Sequence, residues 1–161
     1  LATLQLGDAV TARIDAARRR RLMRFHTTTH LLCHLVGKPV NGCSITPEHA
    51  RLDFHMTEPL DKDELSAGIA RLVAAALPVV VGSVSEAELD ANPQLVKSMS
   101  VQPPRGSGQV RTVRIGSDLP IDLQPCGGTH VANTREVGAV VVSRIEKKSA
   151  MTRRVVLAFA D

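Results

Sequence analysis

Residues 110–158 read VRTVRIGSDLPIDLQPCGGTHVANTREVGAVVVSRIEKKSAMTRRVVLA, and their pattern decides the fold. Four runs rich in β-branched residues, Val110 to Ile115, Leu119 to Leu123, Val137 to Ile145 and Arg153 to Ala158, are separated by Gly, Pro, Asn and Ser punctuation, which predicts an antiparallel arrangement of short strands. Upstream, Ala16 to Leu35 contains neither Gly nor Pro, and Leu22, Phe25, Thr29, Leu32 and Leu35 recur at three- and four-residue spacing, the period of an amphipathic helix that Gly37 and Pro39 end. A second helix is expected from Asp61, its cap, to Leu77, with Leu65, Ile69, Leu72, Val73 and Ala76 on one side and Pro78 as the stop. Between the helices, Asn41-Gly42 reads as a turn and Ala50 to His55 as a strand with alternating faces. Val79-Val80-Val81 reads as a buried strand, and Ser85 to Asp90 as a short helix with Ser85 as cap and Glu88 in the capping-box position. Strands together with helices place the chain in the α+β class, with an antiparallel sheet packed with helices in two layers.

A chain of 161 residues buries enough surface to fold without disulfide staples, and one compact domain is the expectation. Three cysteines at irregular spacing, Cys33, Cys43 and Cys126, exclude a disulfide framework and fit a reducing, cytoplasmic setting. Cys33 and Cys43 read as packing thiols. No apolar run approaches a membrane span, so no membrane partner is expected. The first residues, Leu4 to Ile14, alternate around a Gly-Asp turn and read as a strand or hairpin, and the chain opens on Leu1, as if inside a larger unit.

A net charge of +4 favours polyanionic partners. Arg18, Arg19, Arg20, Arg21 and Arg24 crowd one segment. Arg144, Lys147, Lys148, Arg153 and Arg154 form a second basic group. With no Trp or Tyr and three Phe, a stacking platform for single strands is excluded, so a nucleic acid would be held by backbone and shape.

Two short constellations carry chemistry. In His26-Thr27-Thr28-Thr29-His30 the i,i+4 spacing puts both imidazoles on one helix face, a half-site for a metal, and His30 with His34 repeats the interval. In Cys126-Gly127-Gly128-Thr129-His130 the glycines open a backbone path that lets thiolate and imidazole turn toward a common point. His, His, Cys and His are donors suited to tetrahedral Zn2+ and poorly suited to magnesium or calcium. A closed set of four would be structural, whereas a catalytic zinc keeps a position for water or substrate.

The pairing of these motifs about a hundred residues apart resembles the second additional domain shared by alanyl- and threonyl-tRNA synthetases. The likeness extends over Arg24 to Leu32, over Arg51-Leu52-Asp53-Phe54, and over Asp122 to Val131, whose Cys-Gly-Gly-Thr-His-Val is of the alanine type. The chain is similar to AlaX-type alanyl-tRNA editing proteins. The resemblance implies zinc held by His26, His30, Cys126 and His130, with His26, His30 and Cys126 catalytic. It implies hydrolysis of Ser- or Gly-tRNA(Ala) in trans as proofreading, and tRNA(Ala) carrying the wrong amino acid as partner. Under it, Thr27, Thr29, Asn41, Ser44 and Asp53 are candidates for substrate binding, Asp53 alternatively as an orienting carboxylate, and Arg18, Arg19, Arg20, Arg21, Arg24, Lys147 and Lys148 for tRNA. Residues 1–15 would be the end of an N-terminal β-barrel and 16–161 the editing domain. The alternatives are an editing domain cut from a full alanyl-tRNA synthetase, and a non-catalytic zinc-bearing RNA-binding module.

Overall fold

The computed structural model describes residues 3–160, so the outermost ends of the expected segments 1–15 and 16–161 lie outside the described residues. The long helix forms as read: α1 spans Ala16–Val36, with Asp15 accepting from the Arg18 N–H at 2.9 Å at its start. Gly37, in the left-handed region at φ 63°, closes it by donating to the Cys33 carbonyl. A hairpin follows, β1 (Val40–Ile45) against β2 (His49–His55). Here the structure corrects the sequence reading: Asn41-Gly42 is no turn but a bulge inside β1, where the register slips between Val40 and Gly42.

Helix α2 (Lys62–Ala74) begins where Asp61 accepts from the N–H groups of Asp63 and Glu64, both at 2.8 Å. Strand β3 (Val79–Ser85) leads into the short α3 (Glu86–Ala91), whose Ser85–Glu88 capping box forms as expected. Then come β4 (Gln109–Ile115), β5 (Asp122–Pro125), β6 (Val140–Ser149) and β7 (Thr152–Phe159). Where one sheet was expected there are two, ordered β1-β2-β7-β6 and β3-β4-β5, every pair antiparallel. Because β3 lies at an edge, Val80 and Val81 are 40% and 56% exposed, which corrects the expectation of a buried strand. Leu119, placed in a strand by its composition, is a loop residue 92% exposed. Residues 3–15 contain a turn at Leu6–Gly7 and no strand; the expected barrel strand has no pairing partner among the described residues.

Alternation on β2 and β7 sends Ala50, Leu52, Phe54, Val155 and Leu157 to the face covered by the helices, where they join Phe25, Leu32 and Ile69 in one core. The same alternation turns Arg51, Asp53 and Arg154 to the opposite face. The core fixes α1 on the first sheet, while its other flank meets β5 of the second sheet. The seam between α1 and the end of β5 is where the two motifs converge. No helix among the described residues is long and apolar enough to cross a membrane.

Candidate metal centre

Helix α1 delivers His26 and His30 one turn apart, and the loop leaving β5 delivers Cys126 and His130. One donor atom from each of the four lies within 4.8 Å of the others, a group that could hold a metal ion. The Cys126 sulfur is 3.4 Å from His26 Nε2 and 3.4 Å from His130 Nε2. His30 is buried and the other three are half-buried, so the centre sits at the floor of an opening.

The far side of two imidazoles is tied down. His30 Nδ1 is 2.8 Å from Asp122 Oδ2, both groups buried, and the Gln124 amide donates to the same oxygen at 2.9 Å. His130 Nδ1 is 3.1 Å from Thr27 Oγ1, which also accepts from the Val131 N–H. The carboxylate of Asp122 can only accept, so His30 carries a proton on Nδ1 and turns Nε2 to the cluster, while the Thr27 hydroxyl holds the His130 ring with Nε2 toward Cys126. Asp122 is the orienting carboxylate that the motif reading missed; its signal was its place four residues before Cys126.

Electrostatics reinforce the arrangement. For Cys126 the largest influence, burial, opposes the thiolate, but hydrogen bonds from His130, His26 and His30 outweigh it and bring the thiol down to about 3. For His30 burial again opposes charge, and the bonds and charges of Asp122 and Cys126 overcome it, raising the imidazole to about 9. Burial, together with the charges of His26 and His30, holds His130 down at about 4. Both shifts run in the same sense, favouring the thiolate at Cys126 and positive charge on His30.

The glycines act through space rather than through backbone angle. Neither Gly127 nor Gly128 has a positive φ, which corrects the expectation of a special chain path. A Cβ at Gly128 would stand 2.1 Å from His26 Cε1, whereas one at Gly127 would meet nothing within 4 Å. Loop and ring pass so closely that only a glycine fits at 128. The Arg111 guanidinium donates to the Cys126 carbonyl and Cys126 N–H donates to the Arg111 carbonyl at 3.1 Å, fastening the loop to β4.

A cavity of about 330 Å³ opens over the cluster, walled by Thr29, Gly42, Cys43, Leu52, Ser98 and Ser100 among others. Of the expected substrate-binding residues, Thr29 lines it, with its hydroxyl donating to the His26 carbonyl at 2.7 Å. Thr27 is instead behind His130. Thr28 bonds the Arg24 carbonyl. Asn41 bonds Thr152 on the other face of the sheet, Ser44 pairs with Arg51 on that face, and Asp53 is clasped there by Arg154 at 2.7 and 2.8 Å and by Arg51 at 3.0 Å. Hydrogen bonds from Arg154 hold the Asp53 carboxyl below the usual range against a counter-effect of partial burial, so it is an ion-paired strand residue remote from the histidines. The bulge in β1 explains the difference, because it brings Gly42 and Cys43 to the cavity and turns Asn41 and Ser44 away. Cys33 is a packed thiol as expected, but Cys43 is exposed in the cavity wall.

The basic residues divide as well. Arg18, Arg19 and Arg20 are exposed on the first turns of α1. Arg21 and Arg24 lie over the Phe159 ring at 4.4 and 4.1 Å, and Arg24 also donates to the Val137 carbonyl at 2.6 Å, which commits it to holding α1 on the sheet. Lys147 and Lys148 are exposed near the end of β6, whereas Arg153 is buried among backbone carbonyls.

Residues 110–156 match the model of the threonyl and alanyl tRNA synthetase second additional domain, a stretch that contains Asp122, Cys126 and His130. The alanyl-tRNA editing protein AlaX-M of Methanosarcina barkeri is 31% identical over 166 residues, covering 98% of this chain and 66% of that protein. AlaX-M of Saccharolobus solfataricus is 31% identical over 157 residues, with 95% and 65% covered. The alanine–tRNA ligase of Acidithiobacillus ferridurans is 33% identical over 158 residues, 94% of this chain and 18% of the ligase. The chain thus spans just under two thirds of the length of these AlaX-M proteins.

Proposed function

Because the chain belongs to the alanyl-tRNA editing family built on the threonyl and alanyl tRNA synthetase second additional domain, we propose that it hydrolyses mischarged aminoacyl-tRNA(Ala), Ser-tRNA(Ala) or Gly-tRNA(Ala), in trans in the cytoplasm, with Zn2+ as cofactor. The observation that carries this reading is the gathering of His26, His30, Cys126 and His130 at the floor of an open cavity. Bond lengths of about 2.3 Å to sulfur and about 2.0–2.1 Å to nitrogen at the tetrahedral angle give a sulfur–nitrogen edge of about 3.5 Å. The two 3.4 Å separations around Cys126 fit that edge, and the donor set is the nitrogen and sulfur mixture zinc prefers.

When bound, zinc would supply Lewis-acid activation of the ester or of the attacking water. The chain's own residues do the remaining work. His26, His30, Cys126 and His130 form the seat, Asp122 fixes the His30 tautomer, Thr27 holds the His130 ring, and the cavity wall with the Thr29 hydroxyl, Cys43, Ser98 and Ser100 contacts the aminoacyl group. A wall that hydrogen-bonds a serine hydroxyl leaves polar groups unpaired with alanine, which is the physical basis for sparing correctly charged tRNA.

Support for an RNA partner comes from α1. Arg18 to Arg21 occupy its first two turns, where the helix dipole and their mutual repulsion disfavour positive charge, and beyond the cap residue Asp15 no acidic residue offsets them in the first turn. Such placement is explained by a polyanion. Arg18, Arg19, Arg20, Lys147 and Lys148 are assigned to the tRNA backbone, while Arg21 and Arg24 act chiefly in packing.

The test is deacylation of Ser-, Gly- and Ala-charged tRNA(Ala) by wild type and by Cys126→Ala at equal folded protein, with a chelator-treated control. Rapid loss of the Ser or Gly ester by wild type, abolished by chelator and by the substitution, is expected. Equal hydrolysis by wild type and Cys126→Ala would refute the metal-centred mechanism.

A further inference from the structure

A second cavity, of about 190 Å³, meets the first at Cys126. The two share a wall that includes Lys97, Ser98, Val101, Gln124 and Pro125. They differ in what they face. The larger contains His26, His30 and Cys126; the smaller touches the centre only at Cys126 and Gly127 and is lined mainly by Val96, Pro103, Pro104, Val110 and Pro125, with the Gln102 carboxamide, Gln124, whose amide is held by Asp122, and Arg111, whose guanidinium is held by the Cys126 carbonyl.

An aminoacyl ester has the same two-sided form about its reacting bond: acyl group with its amine on one side, terminal ribose with its base on the other. We propose that the smaller cavity is the subsite for the terminal nucleobase of the RNA, gripped between prolines and valines. This rests on the editing reading above and assigns residues to the half of the substrate that the metal does not touch.

The chemistry of the lining favours a base. A nucleobase is a flat body with apolar faces and a polar edge, and this cavity pairs apolar walls with carboxamides. Stacking on Phe, Tyr or Trp, the common way to hold an unpaired base, is not open to this chain. It has no Trp or Tyr, Phe25 and Phe54 are fully buried, and Phe159 lies under Arg21 and Arg24. Pyrrolidine rings supply rigid flat surface in its place and lose no side-chain entropy on binding. Pro103 and Pro104 sit on the chain that follows the Val40 to Ser98 bridge, so the wall is anchored to the sheet that carries the larger cavity. Lys97, half-buried and without an ion-pair partner among the described residues, adds positive charge on the shared wall, where the sugar–phosphate chain must pass.

The experiment uses an RNA microhelix with a single-stranded 3′ CCA end and a second in which the terminal ribose carries no base. Affinity is read on the uncharged RNAs and kcat/KM on their seryl esters, for wild type, Gln102→Ala, Pro104→Asp and Cys43→Leu. Gln102 and Pro104 are exposed and, of these two cavities, line the smaller and not the larger, so the fold and the metal seat are unaffected; zinc content verifies this. Removing the base is expected to weaken wild-type binding by about tenfold or more. Gln102→Ala and Pro104→Asp should bind the intact RNA more weakly and lose most of that dependence on the base. Cys43→Leu, in the larger cavity, should keep it. Wild type indifferent to the base, or the two variants as dependent on it as wild type, would overturn the subsite. Base-dependent binding without ester cleavage would leave the subsite standing and overturn the editing reading instead.

Discussion

Gly128→Ala places a methyl carbon 2.1 Å from His26 Cε1 and 2.5 Å from Nδ1. Non-bonded carbons come to rest about 3.5–4.0 Å apart, so ring or loop must give way by about 1.4 Å. Metal–ligand distances tolerate only about 0.2 Å, and His26 is therefore lost as a donor. Structural zinc sites are worth about 10–16 kcal/mol over four ligands, so losing one removes about 2.5–4 kcal/mol, a fall in zinc affinity of about 10²–10³-fold. Overpacking costs the fold about 1–3 kcal/mol in addition. The assay is competition for zinc between the folded protein and a chromophoric chelator, with circular dichroism verifying the fold. Gly127→Ala is the internal control, since a Cβ there meets nothing within 4 Å. Wild-type zinc affinity in Gly128→Ala, or an equal loss in Gly127→Ala, would refute the close-approach argument.

Further consequences can be measured independently. Asp122→Asn keeps the shape of the carboxylate but weakens its hold on the His30 ring, and zinc affinity should fall about 10–100-fold in the same competition assay, with little change in folding. At pH 7 Cys126, at about 3, is already a thiolate, whereas His30, at about 9, still carries the proton that metal binding displaces. Calorimetry in buffers of different ionisation enthalpy should therefore find about one proton released per zinc at pH 7, declining toward zero above about pH 9; no release at neutral pH would contradict the ion-pair picture. Ala76 holds the left-handed region at φ 51°, so Ala76→Gly should raise stability by up to about 1 kcal/mol in denaturant unfolding; a loss would show the strain to be absent. Arg19→Ala should leave the melting temperature unchanged and reduce the salt dependence of tRNA binding by about one unit of slope. Arg24→Ala, which loses its carbonyl bond and its place over Phe159, should lower the melting temperature.

What was legible in the sequence was local. The i,i+4 histidines and the Cys-Gly-Gly-Thr-His run declared both halves of the centre because each half lies within one turn or one loop. Caps at Asp61 and Ser85 were legible for the same reason. What was hidden depends on partners far along the chain. Asp122 orients His30 from 92 positions away, and Gly128 owes its necessity to His26 on another element. The division into two sheets follows from β7 choosing β2 as a neighbour, a pairing that strand composition does not encode. The bulge in β1 exchanged the faces of its neighbours, so Gly42 and Cys43 line the cavity where Asn41 and Ser44 were expected. Asp53 looked free to orient a histidine only because Arg154, its partner, is 101 residues distant.

The central claim, a zinc-centred deacylase, is tested most directly by titrating zinc into chelator-stripped protein while following hydrolysis of Ser-tRNA(Ala). Activity should be negligible without metal, rise linearly and saturate at one zinc per chain, with X-ray absorption at the zinc edge giving a mixed shell of nitrogen at about 2.0–2.1 Å and one sulfur at about 2.3 Å. Full activity in stripped protein, or saturated zinc with no sulfur in its shell, would contradict the account.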